Sequence, residues 1–278
     1  EGNRGNGSTA DNRSQFLITS TGFAVENART EFNVNGGNYI YMAIRRPNKP
    51  SEVATEVFAV ASKAGAIPNY ISGFPCDLVI NRDNVNAGND NTVGTRLTGN
   101  RLLKTNATEA EINGGVGASF DFMNGYSATS GGAVSTNYAW MFKRAPGFMD
   151  VVTYSGNLTA RTISHNLLVI PELVIVKNRT DTGGAMWAVW SSYMQERYRM
   201  ALNDTHQELN GGTSYWNANS TFTTTTFGLG NGAPTNQNNH DFVAYLFASL
   251  AGISKVGTYS GNTGYAVNVP CGFTNGAR

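Results

Sequence analysis

The pentapeptide Thr153-Tyr154-Ser155-Gly156-Asn157 returns as Thr258-Tyr259-Ser260-Gly261-Asn262, 105 positions further on. Periods of this kind have to be read first, because a chain built by duplication folds as a series of similar units rather than around one core. Other elements follow the same beat. Cys76-Asp77-Leu78-Val79-Ile80 matches Pro171-Glu172-Leu173-Val174-Ile175, with Leu78 and Leu173 separated by 95 positions. Arg101-Leu102-Leu103-Lys104-Thr105-Asn106 matches Arg199-Met200-Ala201-Leu202-Asn203-Asp204. A fourth element occurs three times, as Tyr39-Ile40-Tyr41-Met42-Ala43-Ile44, Tyr138-Ala139-Trp140-Met141-Phe142-Lys143 and Phe242-Val243-Ala244-Tyr245-Leu246-Phe247. An aromatic residue precedes each copy: Phe23, Phe122 and Phe227.

These landmarks set the phase. Residues 51–145 are expected to form one complete unit and residues 146–252 a second. Residues 1–50 carry the second half of an incomplete unit, and residues 253–278 the opening strands of a further, truncated one. The expectation is therefore a piece of a longer repeat array. The alternative is an arrangement in which the two partial ends complete each other.

Within a unit the apolar residues fall in short runs rich in β-branched and aromatic side chains, stopped by Gly, Asn, Ser and Thr. The chain holds 32 Gly, 33 Asn and 28 Thr among 278 residues. Val151–Tyr154 ends at Ser155-Gly156-Asn157. Leu173–Val176 is a continuous apolar run suited to a strand buried on both faces, joined by a Gly-Gly loop to a strand over Met186–Trp190. Thr221–Phe227 and Phe242–Phe247 read as strands as well. A helical turn or two is conceivable at Ser51–Val60, Thr105–Ile112 and Tyr193–Leu202, but none sustains a period of 3.6. The fold class expected is all-β: tandem, jelly-roll-like β-sandwich domains of about 95–105 residues.

Charge and cysteine content remove several function classes. A net charge of +1 with 14% charged residues is not the footprint of a nucleic-acid binder. No run approaches the ~20 apolar residues of a membrane-spanning helix, so no membrane insertion is expected. Two distant cysteines, Cys76 and Cys271, make no disulfide scaffold and read as small apolar residues. His165, His206 and His240 lie in three different elements and show no ligand spacing. The carboxylate pairs Glu52/Glu56 and Glu109/Glu111 have nothing to fix their separation or to part their pKa values. The loop at residues 81–91 offers oxygen ligands to calcium, but Val85 breaks the ligand register, and a solvated hairpin loop is the stronger reading. Neither a catalytic residue nor a cofactor or metal is expected. One cluster remains for a glycan or partner contact: Trp187, Trp190, Tyr193, Tyr215 and Trp216, since exposed aromatic rings can stack on sugars. Trp187 and Trp190, three apart in a strand, should point to opposite faces, one into the core and the other outward or into a contact between units.

The Tyr-Ser-Gly-Asn strand end, the run Pro171-Glu172-Leu173-Val174-Ile175-Val176-Lys177-Asn178-Arg179, Trp187-Ala188-Val189-Trp190 and Phe242–Phe247 together resemble a tandem domain of tailed-phage virion proteins, of the marine and cyanophage type. The resemblance covers most of residues 15–278. It implies a non-enzymatic structural protein on the virion surface, a tail fibre or appendage serving assembly or host attachment. Other virion proteins, a host surface glycan and further copies of the chain are the partners it implies, with a trimer by analogy to fibres. A capsid decoration protein and a secreted carbohydrate-binding module are the alternatives.

Overall fold

A computed structural model describes residues 16–18, 23–25, 34–42, 49–83, 90–113, 118–128, 137–181 and 183–273. Strands β1 (Phe16–Ile18) and β2 (Phe23–Val25) form a small antiparallel pair. Eight strands then make a first repeat: β3 (Phe58–Ser62), β4 (Tyr70–Ile71), β5 (Leu78–Asp83), β6 (Thr92–Thr95), β7 (Arg101–Lys104), β8 (Ile112–Asn113), β9 (Gly125–Tyr126) and β10 (Asn137–Phe142). Eight more make a second: β11 (Met149–Ser155), β12 (Arg161–Ser164), β13 (Leu173–Asn178), β14 (Ala188–Ser191), β15 (Tyr198–Ala201), β16 (Leu209–Asn210), β17 (Thr226–Leu229) and β18 (Asp241–Phe247). The α-helix among the described residues is one turn, α1 (Ala233–Asn236). No described helix is long and apolar enough to cross a membrane.

The two repeats have one topology. The first has a six-stranded antiparallel sheet in the order β3-β10-β5-β6-β7-β8 and a ribbon of β4 with β9; the second has β11-β18-β13-β14-β15-β16 and a ribbon of β12 with β17. In each, the first strand pairs with the last and the second with the seventh, the nested wrap of a jelly roll, while the middle strands run on as a meander. The fold is all-β and of the sandwich type.

Side-chain alternation explains how each sheet is used. On the second sheet Val152, Tyr154, Val174, Val176, Trp190, Phe242, Ala244 and Leu246 face the ribbon and bury a core with Leu167, Trp216, Phe222, Phe227 and Leu229. The first sheet does the same with Val79, Ala139 and Met141 against Tyr70, Phe120 and Tyr126. The other faces of the two sheets meet each other. Leu78, Val93 and Leu103 from the first repeat join Met149, Val151, Trp187, Val243 and Tyr245 from the second in a third core. The layers therefore run ribbon, sheet, sheet, ribbon. β13 is apolar on both sides for this reason: Val174 and Val176 serve the second repeat's own core, and Ile175 faces the seam.

Four expectations change. Of the helical stretches, only Ala54–Glu56 takes a 3₁₀ turn; residues 105–111 are irregular and 198–201 form β15, because no apolar period of 3.6 rewards a helix there. Thr221–Phe227 splits into a 3₁₀ turn at Asn219–Thr221 and the start of β17. The closing strands align with a separation of 105, pairing Tyr138 with Val243 and Phe142 with Phe247, rather than 104: Leu78 faces Phe142 as Leu173 faces Phe247. A slip of one residue exchanges the two faces of a strand, so the correction decides which side chains meet the seam. Finally, residues 253–273 hold no strand, and neither do residues 38–42. An opening strand pairs with the closing strand of its own unit, as β3 does with β10 and β11 with β18, and neither stretch has that partner among the described residues.

Candidate functional site

Trp187 and four buried charged side chains, Asp77, Asp150, Lys177 and Arg179, lie at or beside the seam between the repeats. Its entry is the short connection from β10 to β11. Ala145 and Met149 bridge across a turn in which Gly147 takes φ +75°. Beneath it lies Asp77, buried one residue before β5. Its Oδ2 accepts the Arg144 backbone N–H at 2.7 Å, and its Oδ1 lies 3.6 Å from Arg96 Nε and 3.7 Å from Arg144 Nε. Arg144 also reaches Asp150 of β11, with Nη1 3.7 Å from Oδ1. Asp150 is buried and accepts the Asn166 N–H at 2.7 Å. Burial raises its carboxyl pKa, while Arg144 and the backbone N–H groups work the other way. Two buried carboxylates and the guanidinium between them thus tie β5, the connection and β11 together.

The far end of the seam is held by the loop after β7. Trp187 donates its indole N–H to the carbonyl oxygens of Lys104 at 2.9 Å and Ala107 at 3.2 Å. Lys177 Nζ donates to the carbonyls of Thr108 and Ala185, both at 2.8 Å. Arg179 grips Glu111 in bidentate fashion at 2.8 and 3.2 Å, and the Glu111 N–H returns a bond to the Arg179 carbonyl at 2.8 Å. Lys177 is fully buried, and burial pushes its ammonium down to about 8.

The aromatic cluster does not form a sugar-stacking platform. Trp187, Trp190 and Trp216 are each at most 2% exposed. Trp187 and Trp190 do point to opposite faces, but both faces are covered: the first lies in the seam and the second stacks on Phe222 at 3.8 Å. Trp216 packs edge-on against Phe222. Tyr215 is half-buried under the Arg199 guanidinium, 4.9 Å from its ring. Tyr193 alone of the five is exposed, and its hydroxyl donates to the Val256 carbonyl at 3.3 Å.

The histidines stay apart, each with its own neighbours. His165 is buried, accepts the Leu167 N–H on Nδ1 and lies 3.2 Å from the Thr223 carbonyl through Nε2; burial lowers its pKa. His206 pairs with Asp204, and His240 with Asn178. Among the described residues no three His, Cys, Asp or Glu side chains gather as a metal site. The centre of the loop considered for calcium, residues 84–89, lies outside the described residues. Both cysteines are free. Cys76 is a buried small residue whose thiol is pushed up to about 11, whereas Cys271 is half-exposed.

The residues that matter most at the seam were not singled out by their types. Lys177 and Asn178 belong to β13 rather than to a polar loop after it, and both are fully buried. The available signal was a lysine two positions beyond Ile175 in an unbroken strand, which puts its side chain on the face toward the seam.

Fold and site together define a class: an all-β scaffold of duplicated sandwiches welded face to face, with its buried charges spent on the weld. A family model described as "Domain of unknown function (DUF7483)" matches residues 82–275, well over half of the chain, and the chain belongs to that family. No curated protein and no solved structure matches it.

Proposed function

We propose that the chain is a non-enzymatic structural module of a phage particle, a tail fibre or surface appendage that presents repeated β-sandwich domains for assembly or host attachment. One observation carries this reading. Successive repeats are fused through a shared apolar core, and the buried Asp77, Asp150, Lys177 and Arg179 all bond across or beside that fusion. Such an arrangement suits a stiff scaffold on which turn-rich loops vary while the strands hold position. The resemblance of the strand motifs to tandem virion domains supports the particle assignment. The carbohydrate-binding alternative loses its motivation, because the tryptophans that prompted it are interior.

Peptide mass mapping of purified particles tests the proposal. Peptides from the chain are expected at a fixed ratio to other particle proteins, and their absence from clean particles ends the reading. Gold labelling of an intact particle then separates an appendage from a capsid decoration.

A further inference from the structure

We infer that the second repeat carries an open docking face for the first repeat of another copy of this chain, joined head to tail through the contact that unites the two repeats within one molecule. The argument rests on comparing equivalent positions, which the strand registers fix. Leu103 faces Val93 as Met200 faces Val189, and Leu78 faces Thr95 as Leu173 faces Ser191, which places Tyr193 where the first repeat has Leu97. Phe58 faces Phe142 as Met149 faces Phe247, which places Val60 where the second repeat has Val151, and Tyr138 where it has Val243.

The two repeats bury different parts of the same sheet face. The first gives its meander side: Leu103 is 4% exposed, Val93 is buried, and Leu97 packs against the shared core. The second gives its opening and closing strands: Val151 and Val243 are both 0% exposed. What each repeat does not use is left in solvent. On the second, Met200 is 41% and Tyr193 47% exposed, with Leu202 beside them at 50%. On the first, Val60 is 44% and Tyr138 38% exposed. The contact is therefore heterologous, made by two different surfaces. Among the described residues one copy of each surface is left unused, and such contacts propagate instead of closing at two.

The polar rim is kept in part: Glu208 stands at the place of Glu111, and Arg82 at the place of Lys177, which within the molecule bonds the Thr108 carbonyl. The tract after the second repeat touches the open face at Tyr193, through the Val256 carbonyl, and leaves Met200 and Leu202 in solvent. The occupant that fits is a first repeat whose β3 lies on this face as β11 lies on the first. The continuity with an existing interface, and the presence of both halves on one chain, point to a second copy.

Sedimentation velocity over a range of concentrations tests the inference. The chain should associate reversibly and continue past the dimer as concentration rises. Met200→Asp spoils one face and Val60→Asp the other. Both sites are exposed, so near-UV circular dichroism should stay unchanged, and each variant should weaken self-association by about tenfold or more. An equimolar mixture of the two variants should form a dimer and stop there, because each partner keeps one good face. A chain that is monomeric at every concentration overturns the inference. So does association that both variants leave untouched, or a variant mixture that forms no dimer.

Discussion

Asp77 and Glu172 hold the same place in successive repeats and make the same bond. Each carboxylate accepts the backbone N–H of the second residue past its closing strand, Arg144 at 2.7 Å and Ser249 at 2.5 Å. The backbone N–H groups of Asp77 and Glu172 in turn donate to the last carbonyl of that strand, Phe142 at 2.8 Å and Phe247 at 2.9 Å. The duplication thus preserves the way a chain is turned out of one unit and into the next. The turn itself repeats: Leu250 and Ser254 bridge as Ala145 and Met149 do, with Gly252 at φ +74° matching Gly147.

The two acids should differ in weight. Asp77 also faces Arg96 and Arg144, so Asp77→Ala takes a carboxylate from both guanidiniums, leaving Arg144 only Asp150, and should cost about 2–3 kcal/mol, at the lower end for buried pairs because both arginines are partly exposed. Glu172→Ala gives up a single charged hydrogen bond and should cost about 1–2 kcal/mol. Urea unfolding of both variants measures the difference.

Trp187 should couple the folding of the repeats. Trp187→Ala removes both indole bonds and opens a cavity in the seam, for a loss of about 3–5 kcal/mol. Wild-type protein should unfold in one calorimetric transition, and the variant in two, as the repeats come apart before either melts. Trp187→Phe keeps most of the apolar contact and should lose about 1–3 kcal/mol, the cost of removing the indole donor from the Lys104 and Ala107 carbonyls.

Lys177 gives stability an unusual pH dependence. Its folded pKa of about 8 lies below the ~10.4 of an unfolded lysine, so between these values the unfolded chain binds more protons than the native one. The penalty of burying the ammonium is fully present below pH 8 and relieved as pH rises toward 10. Above pH 9 the buried Cys76, its thiol pushed up to about 11, and above pH 10 the buried Tyr126, Tyr154 and Tyr245, all raised by burial, act the other way. Lys177 should add about 1–3 kcal/mol of stability from pH 7.5 to 9.5, a rise seen in the difference between wild type and Lys177→Met. Denaturant titrations at fixed ionic strength test it; a rise that the variant retains assigns it to another group.

Leu168 occupies a position meant for glycine. It adopts φ +61°, and the equivalent residue of the first repeat is Gly73 at φ +83°; the Gly272-Phe273 step after the second repeat repeats the feature at φ +75°. A left-handed conformation costs a leucine about 1–2 kcal/mol, against about 0.5–1 kcal/mol of extra chain entropy for glycine. Leu168 is half exposed, so Leu168→Gly also gives up about 1 kcal/mol of burial and, despite removing a whole side chain, should leave stability within about 0.5 kcal/mol of wild type in thermal unfolding.

The periodic motifs carried much of this architecture. Leu78/Leu173 and the closing strands mark equivalent strands, and Trp187 and Trp190 separate to opposite faces as their spacing demands. Two things were hidden for one physical reason. A sequence shows that a strand has two faces, but not that a neighbouring unit covers the second one. Trp187 therefore looked available to a ligand, and Lys177 stood just past the apolar run Leu173–Val176 with nothing to mark it as buried. The one-residue error in matching Tyr138 to Phe242 has a related origin: with both faces of the closing strand apolar, alternation no longer distinguishes one register from the next.

The turn between Ala145 and Met149 leaves the chain no slack. When the two repeats are pulled apart, the load cannot be taken up by a linker between them. It passes directly into the interlocked sheets, which resist it as a glued lap joint resists sliding. Bending at the seam is resisted for the same reason, so a tug on one repeat reaches the other without first uncoiling a connection.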